Sequence, residues 1–182
     1  RLTFNFARKG GYRKGGEDYR WAEVKKRIGP FWFAVLNATF IAPMQNFLLL
    51  WIVLPSYVAY GAQFVAWNTW DTLATCMMLM FIVGETIADE QQWRFQQNKK
   101  ALRERGETIT EDFITTGLFA YSRHPNFFCE QAIWWSFALF AFASGASITH
   151  WALGGALSLS LLFQGSTKLT EEISCQKYPR YR

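Results

Sequence analysis

Arg123-His124-Pro125-Asn126 runs directly into an apolar stretch, and this junction holds the residues best suited to chemistry. Proline is tolerated in the first turn of a helix because its missing N–H would have had no partner there, so the tetrapeptide predicts a helix start. On that helix Asn126, Glu130 and Trp134 recur at i, i+4, i+8 and share one face. A helix start presents N–H groups and about half a positive charge, to which Arg123 and His124 add side-chain donors; the set suits a phosphate or pyrophosphate. Glu130 lies one turn inside an otherwise uncharged run, where an ionisable group costs roughly 2.5–3.5 kcal/mol or more and is expected to face a partner or ligand. The alternative makes Arg123 and His124 interfacial anchors and Glu130 an interhelical hydrogen bonder.

The elements that position this junction follow from how charge is distributed. All 19 Lys and Arg fall in three blocks, nine in residues 1–27, six in 94–123 and four in 168–182. Residues 31–83 hold no base and one acid, Asp71, and residues 125–164 no base and one acid, Glu130. If the basic blocks share one side of a membrane, each apolar region crosses an even number of times. The expectation is an all-α, polytopic membrane helical bundle of about four membrane segments, forming one domain over residues 1–182. A net charge of +5 then matches topology and membrane lipid headgroups, and no nucleic-acid motif accompanies it. Cys76, Cys129 and Cys175 are odd in number and widely spaced, and with only His124 and His150 beside them they suggest neither a disulfide framework nor a metal site.

Residues 1–29 are basic and carry Gly10-Gly11 and Gly15-Gly16, so their backbone could approach a phosphate among Arg8, Lys9, Arg13 and Lys14; a solvated segment on anionic lipid is the plainer reading. Glu17-Asp18-Tyr19-Arg20-Trp21 predicts the start of an amphipathic helix. Phe31–Leu54 is long enough to span a membrane, with a kink at Pro43, an end at Pro55, and Gln45 and Asn46 turned toward protein. Tyr57, Tyr60, Trp67 and Trp70, in a loop from Ser56, look like an interfacial belt. Thr72–Ala88 returns and continues as helix, placing Glu85, Asp89, Gln92 and Gln96 on one side. Asn98–Thr116 reads as a charged connector, and Phe127–Ala143 and Ile148–Phe163 as two short apolar segments joined by Ser144-Gly145-Ala146-Ser147.

Tyr121-Ser122-Arg123-His124-Pro125-Asn126-Phe127-Phe128, with Glu130 and Trp134-Trp135, resembles the C-terminal signature of the steroid 5-alpha-reductase superfamily, nearest its branch of steroid 5-alpha-reductase-like membrane proteins. The likeness extends through Asn5 to Tyr12, Glu17 to Trp21, Ala88-Asp89 and Lys177-Tyr178-Pro179. It implies NADPH as cofactor: Asn5, Arg8 and Lys9 match an element that contacts its phosphates, Asp89 and, less closely, Glu85 an acid of its pocket. Tyr121, Arg123, His124, Asn126 and Glu130 match the signature, and Glu171 with Tyr178 the Glu…Tyr ending. Where sterol reductases carry Arg or His, this chain has Gly165, Ser166 and Thr167, so sterol specificity does not carry over. Members of the resembled superfamily usually have further membrane helices ahead of the matching region.

The resemblance implies an NADPH-dependent reductase of a carbon–carbon double bond in a lipid-like substrate, resident in an organelle or bacterial inner membrane. No catalytic residue is assigned. Isoprenylcysteine carboxyl methyltransferases, which share an Arg-His-Pro signature and use S-adenosylmethionine, give a second reading. A non-catalytic subunit or lipid-binding scaffold of a larger membrane complex gives a third.

Overall fold

The computed structural model describes residues 1–16, 19–62, 65–109, 111–147 and 149–178. Those residues are helical or irregular, without a strand among them. Glu17, Asp18 and Ile148, each an expected helix position, and Pro179 of the C-terminal likeness lie outside them. The chain divides into two compact units, Arg1–Trp51 and Ile52–Arg182.

In the first unit, α1 (Leu2–Arg8) is followed by a turn whose glycines serve the segment itself. A side chain at Gly11 would meet the Phe6 ring at 2.5 Å, and one at Gly16 would meet the Gly10 carbonyl at 2.4 Å. The Phe6 ring in turn packs edge-on against Tyr12, 4.7 Å away. The amphipathic α2 (Tyr19–Ile28) carries Lys25, Lys26 and Arg27 in its last turn, where cations complement the helix dipole. Pro30 then opens α3 (Pro30–Leu36) from its first turn.

A π-helical turn, Asn37–Ile41, joins α3 to α4 (Ala42–Gly61), and the division between the units falls inside α4. The expected disturbance at Pro43 takes this form. Its ring would crowd the Thr39 carbonyl one turn back, and the ladder is relieved there by an Ala42 N–H bond reaching Asn37 instead of the usual i−4 acceptor. Two expectations are corrected. Pro55 does not end the helix, which runs on to Gly61 with only the N–H toward Trp51 missing. Gln45 and Asn46 are exposed, and Asn46 satisfies its amide within the helix by donating to the Ala42 carbonyl at 2.9 Å.

In the second unit, α5 (Thr69–Glu104) is a single 36-residue helix. A capping box starts it: the Asn68 side chain accepts from the Trp70 and Asp71 N–H groups while Asp71 accepts from the Asn68 N–H. The Glu107 N–H bonded to the Leu102 carbonyl and the Gly106 N–H to that of Arg103 close its end as a Schellman motif, so the first seven residues of the expected connector are helix. Then come a 3-10 turn (Gly117–Ala120), α6 (Pro125–Ala143), a second 3-10 turn (Trp151–Leu153) and α7 (Gly154–Lys177).

Helix α6 lies between α5 and α7. Trp70 meets Phe142 edge-on at 4.9 Å and Phe81 meets Phe128 at 5.8 Å, so α5 and α6 are antiparallel. Asn68 ties the two far ends by donating to the Ala143 carbonyl at 2.8 Å. Gly84 lets the helices approach: a side chain there would stand 3.2 Å from Cys129 Sγ. On the other side, Phe127 packs on Phe163 at 5.2 Å and Trp135 Nε1 donates to Ser160 Oγ at 3.0 Å, making α7 antiparallel to α6. Among the described residues, two helices are long and apolar enough to cross a membrane, the continuous Pro30–Gly61 and Thr69–Glu104. Only 17% of each apolar window is buried, so those side chains face outward instead of filling a core. Tyr57 and Tyr60 lie on the last turns of α4 and not in the loop expected from Ser56, and both are exposed, as are Trp67 and Trp70.

Candidate functional site

The start of α6 forms as its sequence dictates. A residue before proline is driven out of the helical region, and His124, at φ −135° and ψ 58°, accordingly becomes the N-cap with Pro125 at the first helical position. Among the described residues, no side chain caps this end. The first N–H groups after Pro125, on Asn126 and Phe127, have no acceptor within the helix by construction.

The turn leading into it is anchored to α5. Gln91 Oε1 accepts from the Leu118 N–H at 3.0 Å, and Gly117, at φ +64°, brings its backbone so near the Gln91 amide that a side chain would stand 2.5 Å from it. The His124 N–H donates to Ser122 Oγ at 3.2 Å. These contacts fix the direction in which Arg123 and His124 leave the backbone.

Both side chains converge on α7. Glu171 Oε1 lies 3.6 Å from Arg123 Nη1 and 3.3 Å from His124 Nε2, an ion-pair distance without an aligned hydrogen bond to the imidazole. His124 also stacks on the Phe127 ring at 5.2 Å. Burial pushes the His124 pKa below its ordinary 6.5, the Glu171 carboxylate opposes that fall, and the Arg123 charge adds to it. The imidazole is thus biased toward its neutral form, while Arg123 is half-exposed.

Beside this cluster is an apolar groove of about 510 Å³, bounded by Met80, Phe81 and Gly84 of α5, Leu118, and Phe128 and Cys129 of α6. Tyr121 and Ser122 stand at its edge with Pro125, and Tyr121 is 92% exposed. Asp89 and Glu85 lie on the stretch of α5 between Gly84, which faces Cys129, and Gln91, which holds Leu118. Both acids are buried, at 6% and 4% exposure.

Glu130 and Trp134 share a face one turn apart, and the Trp134 indole donates to Glu130 Oε1 at 2.9 Å; Asn126 and Glu130 are half-buried. Glu171 and Tyr178 separate in role: the former meets Arg123 and His124, the latter packs against Lys99 and Phe113. Among the expected site residues of this unit, Arg123, His124 and Glu171 therefore form one cluster, and Tyr121 lies at the groove edge. Asn5, Arg8 and Lys9 fall in the first unit, where Asn5 is buried and the Arg8 guanidinium lies 5.1 Å over the Phe4 ring. These contacts also put Lys99 and Arg123 of the second basic block at the same end of the three-helix assembly as Lys177 of the third.

Gln91, Lys99 and the α5 groove residues Met80, Phe81 and Gly84 are not singled out by sequence reasoning. Gly117 carries a faint signal, a glycine ahead of the signature; Lys99 carries none, since a lysine in a charged stretch reads as solvated.

The whole chain, residues 1–182, matches the family described as Protein of unknown function (DUF1295). An uncharacterized protein of Schizosaccharomyces pombe is 38% identical over 193 residues, an alignment that takes in all of this chain and 56% of that protein. The chain thus spans little more than half the length of that curated relative. No solved structure matches it. With the match running from its first residue to its last, the chain belongs to the DUF1295 family.

Proposed function

We propose that the protein is a membrane-embedded, NADPH-dependent reductase of a carbon–carbon double bond in a lipid or steroid-like substrate. The observation that carries this reading is the cluster of Arg123, His124 and Glu171 at an uncapped helix start, set against an apolar groove. A dinucleotide's phosphates and an apolar substrate need those two environments side by side. In this reading α6 and α7 join the two longer apolar helices as membrane segments, and residues 94–124 and 165–182 share one face of the membrane.

The residues fit the cofactor's charged part. The half-exposed Arg123 guanidinium and the backbone N–H groups opening α6 suit phosphate oxygens, the former as a charge-assisted donor. Glu171 orients both basic side chains before a ligand arrives, which lowers the cost of ordering them on binding. Deeper along the same face, the Glu130 carboxylate held by Trp134 offers an acceptor to an amide. Bound there, NADPH would supply a hydride to one carbon of the double bond while the other takes up a proton. The groove would offer an apolar surface to the substrate's carbon skeleton. Asn5, Arg8, Lys9, Asp89 and Tyr178 enter this proposal through the resemblance, as further cofactor residues.

Purified full chain in nanodiscs, titrated with NADPH and followed by nicotinamide fluorescence, tests the reading. Saturable binding that S-adenosylmethionine does not displace supports it. Displacement by S-adenosylmethionine moves the protein to the methyltransferases, and absence of binding at millimolar NADPH leaves the scaffold reading.

A further inference from the structure

Lys99 is buried to 5% exposure although its neighbours Asn98 and Lys100 are exposed. Its ammonium donates to the Asp112 backbone carbonyl and to the Tyr178 hydroxyl at 3.4 Å, and stands 3.9 Å from the Asp112 carboxylate. It also lies 4.6 Å from the centre of the Tyr178 ring, with Phe95 behind it at 5.9 Å and Phe113 6.5 Å from Tyr178. One cation thus gathers three segments: the last turns of α5, the stretch after it, and the residue that follows α7. Removing an ammonium from water costs several kcal/mol unless it is paired and hydrogen-bonded. Here the ammonium has a carbonyl, a hydroxyl and an aromatic ring around it.

Glu171 lies two turns before Tyr178, about 10.5 Å along the helix axis. The end of α7 therefore has two moorings, Tyr178 to Lys99 and Glu171 to Arg123 and His124. Sliding or rotating the helix at one would move the other, because a helix of this length transmits such a displacement as a rigid body.

We propose that Lys99 is a positioning residue, latching the end of α7 to α5 and to residues 112–113 and so holding Glu171 against Arg123 and His124. The inference rests on reading that cluster as the anion site, and it assigns to Lys99 control of the site from a distance, without contact with the ligand.

The test uses the full chain in detergent with a His150→Gln background, so that His124 alone titrates among the histidines, read by NMR of labelled imidazole. Removing Glu171 takes away the neighbour that raises the His124 pKa, so Glu171→Gln lowers its titration midpoint and sets the scale. Lys99→Met, which keeps an unbranched stem and removes the charge, is expected to lower the midpoint in the same direction. It should also speed tryptic cleavage after Lys177, and Lys99→Arg should restore both. If Lys99→Met fails to fold, Tyr178→Phe, which keeps the ring and loses the hydroxyl, is the variant read, with the same two shifts expected. A His124 midpoint unmoved in the folded variant overturns the latch. A shifted midpoint in a protein that binds no NADPH upholds the latch and removes the NADPH reading, so the two failures are told apart.

Discussion

Two basic segments, residues 1–16 and residues 117–124, look alike as phosphate sites in the sequence, yet the structure treats them differently. In the first, the glycines are required by their own chain: the Phe6 ring and the Gly10 carbonyl occupy the space beside Gly11 and Gly16. In the second, Gly117 and Gln91 fix a turn that delivers Arg123 and His124 to an uncapped 19-residue helix start and to Glu171. Basic residues near glycines are thus a weak indicator by themselves. What separates the segments is whether the backbone groups that an anion needs are consumed within the segment or left at a helix end.

The sharpest way to break the comparison is Arg123→Ala. Charge-assisted contacts to a phosphate are worth about 1.5–3 kcal/mol each, so NADPH affinity should fall roughly ten- to a hundredfold in a fluorescence titration. An unchanged Kd would remove the second segment's distinction. Next is Gly16→Ala, whose added methyl would stand 2.4 Å from the Gly10 carbonyl. Such overpacking costs about 1–3 kcal/mol and should open the turn, seen as faster tryptic cleavage at Arg13 and Lys14. Because Asn5, Arg8 and Lys9 lie on α1 and its C-cap, ahead of that turn, NADPH affinity should change by less than about twofold, well short of the tenfold that corresponds to 1.4 kcal/mol. A tenfold loss would show that the first segment's turn belongs to the cofactor site, as its resemblance suggests.

The smallest effect is a pH dependence peculiar to the second segment. Because His124 has its pKa lowered by burial, the unfolded chain binds more protons than the folded one between the lowered value and 6.5. Stability from this residue is therefore complete above pH 6.5 and declines as pH falls through that window. Tm measured from pH 7 down to pH 5 should fall less in His124→Gln than in the parent. It should fall more in Glu171→Gln, which loses the carboxylate that opposes the lowering.

Some features are legible from the chain alone because they are short-range. Pro125 and the restriction it puts on His124 mark the helix start, and the i, i+4 spacing of Glu130 and Trp134 becomes a 2.9 Å hydrogen bond. The run of uncharged residues marks the long apolar helices, since a 3.6-residue repeat and membrane length are written in consecutive residues. Boundaries are less legible. Pro55 reads as a stop in the sequence, although a helix tolerates one lost N–H bond when its surroundings hold it, and Pro55 is fully buried.

Tertiary structure alone decided the rest. That Glu171 meets Arg123 and His124, that Lys99 is buried against Tyr178, and that Met80, Phe81, Leu118 and Phe128 line a groove all depend on how α5, α6 and α7 are registered. Each contact joins residues tens of positions apart. The register comes from side-chain fit, as where Gly84 admits Cys129, and from end ties such as Asn68 to Ala143, and no local propensity encodes either.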